Sequence, residues 1–367
     1  MSVSYGGDSI VFADGSVQSG GWTGMRNRII NGAMVIDQRN AGASVTPASF
    51  SYTLDRWGAV QTTASKFSVQ QNAASVTPPA GFTNYLGVTS LSAYSVGAGD
   101  TFNIYQSVEG FNCADFAWGT ASAQSITLSF WVRSSLTGTF GGAIKDGSSS
   151  KAYPFTYTIS SANTWEYETI TIVGPTSGQF SYTSTTNGIG LQVMFGLGAG
   201  ATFSGTAGAW NSTNSYTATG ATSVVGTNGA TFYITGVQLE RGSTASSFEY
   251  RSYGAELALC QRYYEQWNVT NNAYLGNAFA YSTTGVRSVL QFQVPKRGSV
   301  TSAFSGSLNF SNTGKNATIT SFSFDGNTSV NSVLIYNDSQ TGFTTGQGLQ
   351  MQVPGVTTAT LTFSAEL

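Results

Sequence analysis

Few residue types in this chain of 367 residues could perform catalytic chemistry. It contains no histidine, which removes Ser-His-Asp and Cys-His catalysis, most zinc sites and the usual general base near neutral pH. A pair of carboxylates is the only plausible catalytic group that remains. Glu166 and Glu168 alternate along a predicted strand, which places them about 7 Å apart, within the range that glycosidases use. The same spacing is ordinary on an exposed strand, so we expect a protein that is not an enzyme.

Aromatic side chains beside polar ones are the candidate binding groups. Sugars are held in water by rings that stack on C–H groups and by side chains that hydrogen-bond the hydroxyls. Two of these rings lie between residues 198 and 229, where the composition predicts a long surface loop. Trp131 falls on the polar face of a predicted strand; its alternative role is to pack beneath a loop or against a second copy of the chain. The candidate glycan-binding residues are Trp118, Trp131, Trp210, Tyr216, Tyr336 and Asp338.

The composition is poor in charge and rich in turn-forming residues. Only 9% of residues are charged, against about 25% in ordinary soluble domains. The 44 glycines and 13% aromatic residues are typical of many short strands joined by tight turns. The 15 Lys and Arg form no basic stripe, so we expect no nucleic-acid partner. No apolar run approaches the ~20 residues of a membrane helix, so we expect no membrane insertion, and the N-terminal residues lack a signal-peptide pattern.

Two cysteines, Cys113 and Cys260, are the only thiols. A chain with two cysteines and no signal-peptide pattern is expected to be made in a reducing compartment, with both thiols buried. A disulfide between them is the alternative.

The elements that would position these groups are mostly strands. Residues 125–133 and 189–197 alternate apolar and polar side chains, as half-buried strands do, and turn residues separate them from further strands without intervening helices. This pattern predicts an all-β fold: an antiparallel jelly-roll β-sandwich over residues 25–253 and a smaller C-terminal β domain. The last predicted strand, residues 358–365, suggests that the C-terminal domain forms the tip of an assembly.

One segment has helical periodicity. Within residues 254–267, apolar side chains recur at spacings of three and four residues, which predicts a short helix connecting two β modules. Its apolar face is a candidate trimer interface, formed by Leu257, Cys260, Tyr264 and Trp267. The predicted organisation is an N-terminal arm (1–24), a jelly-roll domain (25–253), the connecting helix (254–267) and a C-terminal β tip domain (268–367).

The arm contains a predicted hairpin with strands at residues 9–13 and 16–18 around Asp14-Gly15. Two strands cannot be stable alone. The arm must therefore pack on its own domain, on a second copy or on a larger assembly.

Three stretches together resemble bacteriophage tail-fibre and receptor-binding proteins. They are FADGSVQ (12–18), RIINGAMVIDQR (28–39) with YTLDRW (52–57), and GVQLERG (236–242) continuing through FEYRSYGAELALCQRYYEQW. In that family this order frames a jelly roll similar to carbohydrate-binding modules, followed by a variable C-terminal domain. The resemblance covers roughly residues 10–270.

The resemblance implies a homotrimer on the virion tail, assembled in the host cytoplasm. Its arm would contact other tail proteins, and it would bind a host surface glycan. Two alternatives stay open: a purely structural virion component, such as a head decoration or tail adaptor, and a tailspike that depolymerises polysaccharide with Glu166 and Glu168.

A metal site is a further possibility in a jelly roll of this kind. Such domains often hold a structural calcium near the ends of the chain, with carboxylate and carbonyl ligands. Asp55 and Glu240 are the candidate ligands here. The alternative is a salt bridge from either residue to its neighbour, Arg56 or Arg241. No cofactor other than this calcium is expected.

Overall fold

The computed structural model describes residues 25–148, 150–177, 185–312, 315–325, 329–355 and 357–367, with three backbone strands of the arm. The arm strands are β1 (Ser4–Gly6), β2 (Ser9–Val11) and β3 (Val17–Ser19), antiparallel in that order. Val11 pairs with Val17, so the predicted hairpin is confirmed, while its turn at residues 12–16 lies outside the described residues. Among the described residues, no helix is long and apolar enough to cross a membrane.

Two antiparallel sheets form the first module, which confirms the predicted jelly-roll sandwich. Its strands are β4 (Phe50–Leu54), β5 (Trp57–Gln61), β6 (Phe67–Gln71), β7 (Leu86–Ser90), β8 (Thr101–Glu109), β9 (Ile126–Ser134), β10 (Gly138–Asp146), β11 (Ala152–Ile159), β12 (Glu166–Ile172), β13 (Ile189–Ala199), β14 (Ser204–Gly205), β15 (Thr217–Ala218) and β16 (Thr231–Arg241). The six-stranded sheet has the order β11-β10-β13-β8-β5-β4, and the five-stranded sheet has the order β12-β9-β16-β7-β6. Short 3-10 helices lie at Ala73–Ser75, Gly110–Asn112, Ala114–Phe116 and Ala201–Phe203.

The alternating pattern of β9 determines which of its side chains enter the core. Leu128, Phe130 and Val132 are fully buried between the sheets, as predicted, because successive side chains of a strand point to opposite faces. Trp131 and Arg133 point to the outer face of the five-stranded sheet and are half-buried.

The glycine-rich segment at residues 198–229 is not the free surface loop that its composition predicts. It packs on the outer face of the six-stranded sheet, where β14 and β15 form a short parallel pair. Thr217 is 3% exposed, and its hydroxyl lies 2.5 and 2.6 Å from where a Cβ would stand at Gly141 and Gly196. Glycines in the sheet therefore let this segment, which we call the cover segment, lie directly on the strands.

The connecting helix is shorter than predicted. Helix α1 spans Tyr253–Gln261, and the Ser252 side chain caps it by accepting a hydrogen bond from the Ala255 N–H at 3.4 Å. The following strand, β17 (Tyr264–Thr270), contains the remaining predicted helical positions. Its spacing fits a helix, but aromatic and β-branched residues favour strands, and the backbone finds partners along Thr358–Ser364.

The second module also consists of two sheets. Its strands are β17, β18 (Tyr274–Ala280), β19 (Val286–Gln291), β20 (Thr301–Gly306), β21 (Leu308–Asn312), β22 (Lys315–Ile319), β23 (Ser323–Phe324), β24 (Ser332–Asn337), β25 (Gly348–Gln352) and β26 (Thr358–Ser364). A three-stranded sheet has the order β17-β26-β20, and a seven-stranded sheet has the order β22-β21-β25-β18-β19-β24-β23. Phe310, Ile335 and Leu361 are among the side chains of its separate core.

The residues after β26 lie between the two modules. The Glu366 carboxylate pairs with Arg39 at 2.8 Å and with the fully buried Arg56. The Tyr52 hydroxyl donates to the Leu367 carbonyl at 2.6 Å. The last strand therefore ends at the junction of the modules. The position of the C-terminal domain at the tip of an assembly stays a prediction.

The two cysteines are buried thiols in different places, and no disulfide joins them. Burial raises the pKa of Cys113 to about 12, and burial also raises the pKa of Cys260 well above its usual value. The predicted burial of both thiols is confirmed.

Candidate functional site

Two of the three stretches that carry the family resemblance, residues 28–39 with 52–57 and residues 236–242, meet at one buried joint. The Asn31 side chain donates to the carbonyls of Ile36 at 2.8 Å and Asp55 at 3.0 Å. The Trp57 ring nitrogen donates to the Asn31 carbonyl at 3.1 Å, and the Val237 N–H donates to the Gly32 carbonyl at 2.9 Å. Asn31 and Trp57 are fully buried. Residues 28–39, 52–57 and 236–242 therefore build the base of the jelly roll.

The proposed calcium ligands do not fit a metal site. Asp55 accepts two hydrogen bonds of 2.6 Å from Gln38, one from its backbone and one from its side chain. Glu240 accepts from the backbone and hydroxyl of Ser246 at 2.8 and 2.6 Å and from Gln238 at 2.9 Å. Both carboxylates thus face N–H and O–H donors. No group of three or more acidic, thiol or imidazole side chains that could hold a metal occurs among the described residues.

The alternative salt bridges at these positions are also wrong. Arg56 pairs with Glu366, and Arg241 donates to the Gln124 side chain at 3.1 Å. Burial raises the pKa of Asp55 to about 6, although the charge of Arg39 and the hydrogen bonds from Gln38 oppose this rise.

The two carboxylates of the glycosidase alternative lie on one face of β12, opposite to Tyr167. Burial raises the pKa of Glu166, but hydrogen bonds from Ser160 and Ser161 outweigh it, so that this pKa lies below its usual value. Burial, together with the charge of Glu166, raises the pKa of Glu168. Since side chains alternate along a strand, neither carboxylate reaches a ligand bound against Tyr167.

Two of the candidate glycan-binding residues, Trp118 and Trp210, pack within the fold and do not form a binding surface. Trp118 is 3% exposed and presents no ring face to a ligand, so its assignment as a binding residue is wrong. Trp210 packs edge-on against Trp118 at 5.1 Å and Tyr153 at 5.4 Å, and its ring nitrogen donates to the Val173 carbonyl at 2.8 Å. Trp210 therefore anchors the cover segment.

Tyr216 is enclosed in a similar way. Its ring stacks on Phe203 at 5.1 Å with 26° between the planes, and the Lys145 ammonium lies 3.7 Å from the ring centre. No open face is left for a sugar on this ring.

The candidate trimer residues are mostly covered by the chain itself. Cys260 is fully buried and Tyr264 is 7% exposed within the single chain, so these two side chains do not form the trimer-facing surface that the sequence predicts. Leu257 and Trp267 are half-buried, and Trp267 packs against Phe363 of the second module at 5.3 Å. The homotrimer itself stays a prediction.

Trp131 forms part of an exposed aromatic groove on the outer face of the five-stranded sheet. Tyr167 lies directly opposite it on β12, with the ring centres 5.2 Å apart. From two neighbouring loops, Phe82 packs on Phe248 at 5.1 Å and on Tyr250 at 5.5 Å. The groove is lined by Ala80, Phe82, Ser129, Trp131, Tyr167, Gly236, Ser247, Phe248 and Tyr250.

A bulge in β16 brings these rings together. The register between β16 and β9 shifts between Thr235 and Gln238, and Gly236 in this bulge has a φ of +61°. A Cβ at Gly236 would stand 2.7 Å from the Phe82 ring and 3.2 Å from the Trp131 ring. Glycine is therefore required both for the backbone conformation and for the close approach of the rings.

The lining of the groove has a chemistry suited to uncharged polar ligands. The described residues that line it include five rings and the exposed Ser247, and none of them has a charged side chain. A neighbouring cleft shares Phe82, Phe248 and Tyr250 with the groove. Its charged groups bond to one another and to the backbone, as in the pairs of Arg251 with Glu249 and Glu256. The groove can therefore stack a ring-shaped ligand and bond its hydroxyls.

Sequence reasoning found Trp131 but missed the loop residues beside it. Phe248 and Tyr250 stand at alternate positions of a segment used only for its family resemblance, and Phe82 follows a Pro-Pro-Ala-Gly turn. The alternate positions of Phe248 and Tyr250, outside any predicted strand, were the signal in the sequence that could have indicated this groove.

Of the C-terminal candidates, Asp338 is exposed and Tyr336 is half-buried. Tyr336 lies on the outer face of the seven-stranded sheet, and Asp338 follows the end of β24 and is paired with Arg287. Tyr281 lies beside them, with its ring centre 4.1 Å from the Arg287 guanidinium carbon.

Comparisons with known proteins find solved structures of similar fold at low sequence identity. No family model and no curated protein matches the chain. One similar solved structure is the enzymatically active domain of bacteriophage CBA120 tailspike protein 4, with 13% identity and a TM-score of 0.32. The match covers 59% of this chain and 21% of that one, so the chain spans about a fifth of the tailspike's length.

Two carbohydrate-binding modules are also similar. A family 11 module from Clostridium thermocellum, in complex with a β-1,3-1,4-mixed-linked tetrasaccharide, has 12% identity and a TM-score of 0.28, over 55% of this chain and 97% of that one. A family 61 module in complex with β-1,4-galactotriose has 12% identity and a TM-score of 0.30, over 59% of this chain and 100% of that one. The class that the chain's own sheets define is a jelly-roll β-sandwich joined to a second β module.

Proposed function

We propose that this chain is a bacteriophage tail-fibre, receptor-binding protein that attaches the virion to a host cell-surface glycan without catalysis. The observation that carries the proposal is the aromatic groove. Five rings converge on one outer face, and Tyr167 and Tyr250 are 45% and 61% exposed. Large exposed rings grouped in a groove mark a binding site more often than single surface rings do.

The chemistry of the groove favours a sugar over other ligands. Rings stack on the C–H faces of pyranoses, and serine hydroxyls bond their hydroxyl groups. A nucleic acid or an acidic peptide would require cations, and the lining has none. A shallow groove of this kind binds one sugar chain weakly. In the proposed homotrimer, three copies bind together and raise the overall affinity.

The virion setting belongs to the same proposal and is supported by the family resemblance over residues 10–270. In it, the N-terminal arm joins other tail proteins, and the chain is assembled in the host cytoplasm and resides on the tail. The low overall charge suits a protein working outside cells, because surface ion pairs contribute only ~0–1 kcal/mol and weaken in salt.

A pair of tyrosine variants tests the binding site. Tyr250 lines the groove, while Tyr253 at the start of α1 is equally exposed, at 64%, and lies outside it. We expect Tyr250→Ala to weaken binding to host cells and to an array of neutral oligosaccharides about tenfold, equivalent to about 1.4 kcal/mol. Tyr253→Ala should bind as the wild type does.

Three results would contradict parts of this proposal. Equal binding by both variants would exclude the groove as the sugar site. Release of new reducing ends from host polysaccharide, lost in Glu166→Gln, would show a depolymerase. A location on the capsid or between tail rings in virion images would show a structural component.

A further inference from the structure

The outer face of the seven-stranded sheet carries a row of exposed and half-buried side chains, far along the chain from the groove. Phe279, Arg287 and Tyr336 are directly opposite one another on β18, β19 and β24. Tyr281 lies two residues after Phe279, and Asp338 lies two residues after Tyr336. Phe279 and Tyr281 are 44% and 58% exposed. We call these five residues the C-terminal patch.

Arg287 is held in place by rings. Its guanidinium carbon lies 4.1 Å from the centre of the Tyr281 ring and 5.1 Å from the centre of the Tyr336 ring. Cation–π contacts of this kind orient a guanidinium without using its N–H donors. The side chain is therefore positioned by contacts that do not use its terminal N–H donors.

The donors of Arg287 are unused. Every other arginine of the chain donates at least one hydrogen bond to a described residue, as Arg133 does to the Asn163 carbonyl at 2.9 Å. Arg287 donates none to the part of the chain that the structure describes, and its buried Nε has no partner there. Its nearest acceptor, Asp338, is 3.5 Å away and half exposed, which is too long for a good hydrogen bond.

The chemistry of this patch specifies its ligand. A guanidinium with its terminal N–H donors stands beside a carboxylate acceptor, and their charges balance. Adjacent hydroxyl groups of a sugar can accept from the first and donate to the second, whereas an anionic ligand would meet the Asp338 carboxylate. The exposed rings of Phe279 and Tyr281 offer faces for the C–H groups of the same sugar.

We propose that the C-terminal patch is a second sugar-binding site, specific for a neutral saccharide with adjacent hydroxyls and independent of the aromatic groove. Each chain then carries two sugar sites of different chemistry, one on each module. The first stacks sugars on a wide set of rings, and the second selects them by paired hydrogen bonds.

The test uses a chain whose groove has been disabled. The double variant Trp131→Ala, Tyr250→Ala is applied to an array of neutral gluco-, galacto-, manno- and xylo-oligosaccharides and of the matching uronic-acid oligosaccharides. We expect it to retain binding to at least one neutral series. Adding Arg287→Met, which keeps the aliphatic stem, should then reduce this residual binding at least tenfold, and Asp338→Asn should reduce it severalfold.

A matched control is Arg241→Met, because Arg241 is exposed, donates only to Gln124 and lies outside both sites. This control should leave the residual binding unchanged. Absence of residual binding in the double variant, with the wild type still binding, would refute the second site and leave the proposed function standing. Preference for the uronic-acid series would refute the neutral ligand.

Self-association is the competing use of this surface. If sedimentation at rising concentration shows that Arg287→Met abolishes an oligomer while sugar binding is unchanged, the patch is a contact between copies, and the proposal is wrong. If no form of the chain binds any saccharide, both the second site and the proposed function fail.

Discussion

At the scale of single residues, the buried ammonium of Lys145 is an unfavourable feature of the folded state. It is 1% exposed on the covered face of the six-stranded sheet, and its ammonium has no hydrogen-bond partner among the described residues. Burial lowers its pKa from 10.5 to about 7, and Asp146 opposes this only in part. Contact with the Tyr216 ring offsets some of the lost hydration.

We expect Lys145→Met to stabilise the protein at neutral pH. The folded pKa lies below the unfolded value, so between pH 7 and 10.5 the folded state holds fewer protons, and wild-type stability rises with pH across this window. Each unit of pKa difference is equivalent to about 1.4 kcal/mol. The gain from Lys145→Met should therefore be a few kcal/mol at pH 7 and should shrink towards pH 10, measured by urea unfolding.

The control for this prediction is Lys66→Met. Lys66 also lies over a ring, that of Tyr94 at 4.7 Å, but it is half-buried and keeps contact with water. Its replacement should change stability little, because it removes no fully buried ammonium. A gain from Lys145→Met that is the same at pH 7 and pH 10 would contradict the prediction.

At the scale of elements, the bulge of β16 decides the shape of the binding face. At the bulge, the backbone of Gly236 adopts a left-handed conformation, and the Phe82 ring fills the space that a side chain at this position would occupy. The strand thus contributes buried side chains to the core, and on its outer face Gly236 leaves room for the rings of Phe82 and Trp131.

We expect Gly236→Ala to damage both stability and binding. An alanine in this conformation costs ~1–2 kcal/mol, and its methyl group would displace the Phe82 ring. Gly42→Ala is the matched control, because Gly42 has a φ of +83° with open space around it. Both variants should lose stability in thermal unfolding, while only Gly236→Ala loses binding to the oligosaccharide array. Unchanged sugar binding by Gly236→Ala would contradict the assigned role of the bulge.

The sequence predicts strands better than it predicts what lies on them. Alternation in β9 gives the correct faces, because burial on one side of a sheet forces a period of two. The sequence-based prediction makes the helix too long. The pairing of β17 with β26 joins residues nearly a hundred positions apart, so no local pattern reveals it. Trp210 and Trp118 looked like binding residues, since no local pattern reveals that they pack on each other.

At the scale of the whole molecule, buried charges join the two modules. Arg56 is fully buried, stacks on the Tyr263 ring at 3.5 Å and pairs with Glu366. Arg262 pairs with Glu109 at 2.6 Å across the same junction. Such partners fix an orientation well, because the loss of one of them leaves a charge buried and unpaired.

We expect Glu366→Ala to destabilise the protein by about 3–5 kcal/mol, because Arg56 would keep its charge without a partner. Calorimetry should show a lower unfolding temperature and a separation of the transitions of the two modules. The control is Asp115→Ala, which breaks the half-exposed pair with Arg28 and should cost only ~0–1 kcal/mol. Equal costs for the two variants would show that the junction contributes little.

The position of both thiols has a practical consequence. Cys113 and Cys260 are fully covered, and their raised pKa values keep them protonated at neutral pH. A cysteine introduced at an exposed site would therefore be the one group that a maleimide dye modifies in the folded chain. Labelled particles could be prepared in this way without first replacing the native residues, and their adsorption to single cells could be followed by fluorescence microscopy.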